Sequence, residues 1–125
     1  MKKTVSVFKD FVNKVEDKPL ENILNDIKTG TYKKEIDVIR GLMDEGKEEE
    51  AQKLKLRLLG FTTSGIFGNH RCSENLITYS QLVILDIDNL SIAELKRIIP
   101  IINEAPYTYT SFISSRGRGV KFIIK

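Results

Sequence analysis

The stretch "LVILDID", residues 82–88, carries an apolar strand pattern into two aspartates spaced one residue apart. Side chains two residues apart on a strand share a face. Asp86 and Asp88 are thus expected to project together, with Val83, Leu85 and Ile87 on the opposite face under the helix that follows. Two carboxylates held roughly 6–7 Å apart along a strand repel each other and lose hydration. A divalent cation between them relieves both costs, and oxygen ligands of this kind suit Mg²⁺ or Mn²⁺, the metals of phosphoryl transfer. Asp86 and Asp88 are therefore candidate metal ligands and catalytic residues. They also close the strand at its C-terminal end, where open α/β sheets place their ligand crevice. The plainer reading is that Asp88, with Asn89, is a turn residue ahead of a helix cap; many D-x-D pairs bind nothing.

A second constellation is "SSRGRGVKFII", residues 114–124. Glycines permit positive φ, so this stretch suits a plain hairpin tip. It also gathers Ser115, Arg116, Gly117, Arg118, Gly119 and Lys121, a hydroxyl and three cations around a backbone thinned by glycine, as a phosphate site requires. Alternation puts Val120, Phe122 and Ile124 on one face and Lys121 on the other. If the apolar triplet shares the helix-covered face with Val83, Leu85 and Ile87, Lys121 meets Asp86 and Asp88 on one surface.

The elements that must position these groups follow from periodicity. "TVSVF" reads as a strand, expected at a sheet edge. Leu20, Ile23, Leu24 and Ile27 repeat at helical spacing and Gly30 stops that helix. Thr31 is expected to cap a second helix with Tyr32, Ile36, Ile39 and Met43 on one stripe. "KEEEAQKLKLRLL" predicts a third, its acids and bases ordered as the macrodipole favours. Ala51, Leu54 and Leu58 are its core face; Lys53, Lys55 and Arg57 read as a solvated one. "FTTSGIFGNHRCSENL" reads as a strand running into a long loop. After the strand at 81–88, "SIAELKRIIPIINEA" opens with Ser91 and Glu94 in a capping box, and Pro100 is expected to kink or end it. Strands at "YTYTSFIS" and "VKFIIK" flank the glycine turn. The fold class is α/β (α+β): N-terminal helices, then a β-α-β-β unit, with one mixed or antiparallel sheet carrying helices, as a single domain over residues 1–125.

The chain has 125 residues and a net charge of +3, too small an excess to establish a nucleic-acid partner by itself. One cysteine and one histidine cannot build a closed zinc site or a disulfide framework. His70 with Cys72 lacks further soft ligands, and Tyr107, Tyr109 and Phe112 read as core or surface filling before base-stacking platforms. There is no 18-residue apolar run and no signal-peptide pattern, so the expectation is a cytoplasmic protein without a membrane partner.

Taken together, "KLKLRLLGFTTSGIF", "LVILDIDNL" and "YTSFISSRGRGVKFII" resemble the N-terminal domain of VirE (virulence-associated E) proteins, which is similar to part of an archaeo-eukaryotic primase, or primase-polymerase, core. The resemblance spans roughly residues 31–125. It implies DNA replication chemistry in a mobile-element protein: Asp86 and Asp88 on Mg²⁺ or Mn²⁺, the Ser115–Gly119 turn on a nucleoside triphosphate, Arg71 lining the site (by its loop position alone it reads first as a solvent-exposed cation), and a DNA template as partner. Lys121 stands where such primases place a histidine. A third acid from a later strand would fall beyond Lys125, which implies a piece of a longer protein, continuing into a P-loop helicase-like domain. The alternatives are a non-catalytic nucleic-acid-binding module that keeps the fold, or an interaction domain with no ligand of its own.

Overall fold

The structure is a computed structural model, and it describes residues 3–125. Strand β1 (Thr4–Phe8) lies in the middle of a three-stranded antiparallel sheet, between β2 (Lys14–Pro19) and β3 (Gly60–Thr62). The expected edge position is corrected here. Val5, Ser6, Val7 and Phe8 are buried in succession, so β1 has no solvent face. Its partner β2, "KVEDKP", is too polar to announce itself as a strand. Ser6, fully buried, ties the layers together: its hydroxyl donates to Asp17 Oδ1 at 2.7 Å and accepts the Phe67 N–H at 2.9 Å.

Helix α1 (Leu20–Thr29) packs Leu20, Ile23, Leu24 and Ile27 against Val5, Val7, Leu82 and Ile123, and Gly30 ends it at φ +80°. Helix α2 (Lys33–Asp44) begins two residues after the expected Thr31 cap and has no side-chain cap. The Thr31 N–H is already used in closing α1, on the Asp26 carbonyl at 3.0 Å. Helix α3 (Glu48–Lys55) stops at Lys55, short of the expected "RLL", and continues as tight turns with Arg57 N–H on Leu54 O and Leu58 N–H on Lys55 O, both 3.1 Å. Ala51 is buried as expected, and Leu54 and Leu58 are half-buried. The expected long loop is shorter than its sequence implied: β4 (Gly65–Phe67) and β5 (Leu76–Tyr79) form a two-stranded antiparallel sheet, with a 3₁₀ turn at Ser73–Asn75 between them.

The third sheet carries the site. Strand β6 (Val83–Ile87) is followed by helix α4 (Ile92–Glu104), β7 (Thr108–Ile113) and β8 (Val120–Ile124), in the spatial order β6-β8-β7. Both neighbours of β8 run antiparallel to it, so β6 and β7 are the two arms of a split β-α-β unit. The architecture is α+β, with four helices and, among the described residues, strands shared among three small antiparallel sheets where one was expected.

The capping box at Ser91 and Glu94 is present, with both bonds at 3.2 Å. Pro100 does not end α4, which runs four residues past it. Pro100 and Lys96 are both exposed, so the carbonyl that loses its donor can bond water. Leu95 and Ile102 of α4 bury Val120 with Leu90, and Ile87 and Phe122 pack against them. Val83 and Leu85, expected under the same helix, are 46% and 40% exposed because β6 is an edge strand that α4 covers only at its Ile87 end. Among the described residues, no helix is long and apolar enough to cross a membrane.

The carboxyl of Asp17 shows how the first sheet responds to pH. Burial disfavours its charge, but hydrogen bonds from Lys14 and Ser6 prevail and hold the carboxyl below its usual range. A folded-state value below the unfolded one adds stability at neutral pH that is lost as pH falls from about 3.9 downward. Asp17→Asn should therefore lower the urea midpoint at pH 7, with the gap to wild type closing below roughly pH 4. A gap that widens on acidification would contradict this.

Candidate functional site

Register decides which side chains meet. Asp86 on β6 stands directly opposite Lys121 on β8, and Leu85 opposite Phe122. Directly opposed residues share a face, so Asp86 and Lys121 lie on the surface opposite the α4-covered one. Lys121 Nζ donates to both carboxylate oxygens of Asp86, at 2.9 and 2.8 Å. Two residues along the same face of β8, Ile123 is fully buried against the α1 and β1 cluster. The face is thus apolar where α1 covers it and charged where that cover ends.

Asp88 lies just past the end of β6. The Leu90 N–H reaches the Arg118 carbonyl at 2.8 Å, and Asn89 turns the chain at φ +57°. This corner brings Asp88 over the glycine turn. A Cβ on Gly119 would come within 2.6 Å of the Ile87 carbonyl oxygen and 2.9 Å of Asp88 Oδ1, so only glycine lets the two segments approach this closely.

Helix α2 braces the turn from behind. Arg40 donates to the Ser114 carbonyl at 3.0 Å, while its buried Nε has no partner among the described residues. Gly117, at φ +78°, rests on the Arg40 side chain, whose nearest atoms would lie 3.3 Å from an added Cβ. Arg118 is drawn to Asp44 of α2 at 3.0 Å. It therefore points toward α2, where it braces the turn. Ser115 and Arg116 are half-buried, and Arg116 borders a groove with Glu48, Glu49, Gln52 and Lys53 of α3.

Lys55, at the last turn of α3 and expected on a solvated face, is half-buried. Burial lowers its pKa, the charges of Arg116 and Lys121 lower it further, and Asp88 and Asp86 oppose the shift. The helical stripe gave no hint of this, because the position depends on where α3 stops.

The Arg71 guanidinium lies over Phe8 and Phe11, at 5.5 and 5.4 Å from the ring centroids, a cation–π contact. His70 and Cys72 are exposed. Tyr109 packs against the α1 core, and Phe112 borders a groove with Leu24, Asn25 and Lys28 of α1.

The donor set sets a condition on any metal. Among the described residues, no group of three or more His, Cys, Asp or Glu side chains converges, and one of the two aspartates here is neutralised by Lys121. Mg²⁺ is commonly held by one or two carboxylates together with substrate phosphates. Asp86 and Asp88 fit that pattern, provided that a phosphate supplies further oxygens and takes Lys121.

These features define an α+β domain with an acid-and-ammonium sheet face closed by a glycine-arginine turn. A family model described as "BT4734-like, N-terminal domain" matches residues 53–125, more than half of the chain, and the chain belongs to that family. The matched span includes Lys55, Asp86, Asp88, the turn and Lys121. No curated protein and no solved structure matches the chain.

Gly119→Ala tests the close approach of the turn. Overlap with backbone should cost roughly 1–3 kcal/mol, read as a lowered melting temperature. An unchanged melting temperature would show that the corner is looser than described.

Proposed function

We propose that this domain binds a nucleoside triphosphate and a DNA template with Mg²⁺ or Mn²⁺, in the manner of a primase-polymerase core, within a replication protein of a mobile element. The observation that supports this reading is the shared face of Asp86 and Lys121, an acid for metal and a cation for phosphate on adjacent strands. The motifs that resemble VirE-type and primase domains give it a chemical direction.

In this reading Asp86 and Asp88 hold the metal, and Lys121 with Arg116 and the Ser115–Gly119 backbone holds the triphosphate. A metal of this type would neutralise phosphate charge and favour attack of a primer hydroxyl at the α-phosphorus, with the α–β phosphoanhydride bond breaking and pyrophosphate leaving. The chain's own part is an exchange of partners. Lys121 leaves Asp86 for a phosphate oxygen, and the freed carboxylate turns to metal. Metal alone offers Lys121 no new partner, and polyphosphate alone leaves Asp86 uncompensated. Binding of the two is therefore coupled. A P-loop helicase-like partner domain belongs to the same reading, as does a cytoplasmic location.

The second reading, a nucleic-acid-binding module without chemistry, draws support from the small ligand set: two aspartates, one already paired. The two readings separate in calorimetry. With Mn²⁺ present, wild type should bind a nucleoside triphosphate at least roughly tenfold more tightly than in EDTA, a difference of about 1.4 kcal/mol. Asp86→Asn should lose that metal dependence. DNA binding that persists in EDTA and survives Asp86→Asn, with no triphosphate binding in Mn²⁺, would favour the second reading and reject the first.

A further inference from the structure

The register that sets Lys121 opposite Asp86 on one side sets it opposite Phe112 of β7 on the other. Asp86, Lys121 and Phe112 therefore stand in one row across three strands, on the same face of the sheet. Neighbours in such a row lie roughly 5 Å apart, so an acid, a cation and an aromatic ring follow one another within about 10 Å. Phe112 is half-buried, and unlike Tyr109 and Phe122 it packs into neither core cluster of the described residues. The ring instead borders a groove of about 430 Å³ between β7 and α1, lined by Leu24, Asn25 and Lys28 of the helix and by Thr110 and Ser111 of the strand. Ser111 turns its hydroxyl to Asn103 of α4, at 2.5 Å, so what it shows the groove is main chain. Clefts for small molecules run from roughly 300 to 1,000 Å³ and combine apolar walls with a few polar groups, as this one does.

We propose that this groove is the base subsite of the nucleotide site: the base stacks on Phe112 and offers its edge to the Asn25 amide, while the phosphates run along the row to Lys121 and the glycine turn. This rests on the nucleotide reading and deepens it, adding to a metal-and-phosphate face the part that tells a nucleotide from a bare polyphosphate. Packing does not require a ring at this point, because the α1 cover over Ile123 has ended by the level of Lys121 and Phe112. Every nucleobase has a π face, so stacking on one ring serves affinity before selectivity. Asn25 is exposed on α1, and its amide carries a donor beside an acceptor, the pair that the N6–N7 edge of adenine complements.

The test is calorimetric titration of ATP and, separately, of inorganic tripolyphosphate, each with Mn²⁺, into wild type, Phe112→Leu, Phe112→Tyr and Asn25→Ala. Wild type should bind ATP roughly tenfold or more tightly than tripolyphosphate. Phe112→Leu should remove most of that preference and Phe112→Tyr should keep it, with tripolyphosphate affinity unchanged in both. Asn25→Ala should lower the preference by roughly threefold or more, again without touching tripolyphosphate. Equal affinity of wild type for the two ligands, or a full preference in Phe112→Leu, overturns the proposal and leaves the nucleotide reading in place. Parallel loss of both ligands in Phe112→Leu with a lowered melting temperature marks a structural role and overturns it too. If Phe112→Leu does not fold, the exposed Asn25→Ala decides, and an unchanged preference there overturns the proposal. Failure of wild type to bind either ligand would overturn both readings.

Discussion

Two opposite charges placed directly across an antiparallel pair organise this molecule's charged surface. The pair of Asp86 and Lys121 is only partly shielded, with side chains 44% and 29% exposed. A pair this open contributes on the order of 0–1 kcal/mol to stability, small against the burial of Ile123 or Val120 nearby. The fold does not need the pair. What the pair provides is an inexpensive exchange, since each partner can be given a new counter-charge without unsettling the core. A carboxylate sunk in the interior would be held too firmly to change partners.

The rest of the structure keeps that exchange in place. β8 is inserted between β6 and β7, with Val120 and Phe122 anchored under α4 and Ile123 anchored under α1, so Lys121 is fixed from both faces of the sheet. The glycine turn is held from the other side by Arg40 and Asp44 of α2. These two bracing residues precede the span matched by the family model, whereas the charged face lies inside it.

The legible and illegible parts of this chain separate by the range of the physics involved. Strand alternation is local, so the shared face of Asp86 and Lys121 followed from the sequence once their apolar neighbours were placed under one helix, whereas the β6–β8 register that sets them directly opposite was not legible. The α4 capping box was legible for the same reason, since Ser91 and Glu94 satisfy each other within one turn. β2 and the β4/β5 pair were not legible. They are short, polar or glycine-containing, and become strands only because β1 and each other offer partners. Long cationic side chains were the least legible. The partners that Arg71 and Arg118 take depend on where distant elements come to rest. Arg118 and Asp44 are 74 residues apart.

The account stands on Lys121 and Asp86 changing partners when ligand arrives. Crystals grown with Mn²⁺ and a non-hydrolysable nucleoside triphosphate, measured at a wavelength where manganese scatters anomalously, would show this directly. The predicted result is an anomalous peak at the carboxylates of Asp86 and Asp88, with Lys121 Nζ moved from Asp86 onto a phosphate oxygen. Lys121 still bridging both oxygens of Asp86, with manganese and nucleotide bound elsewhere, would contradict it.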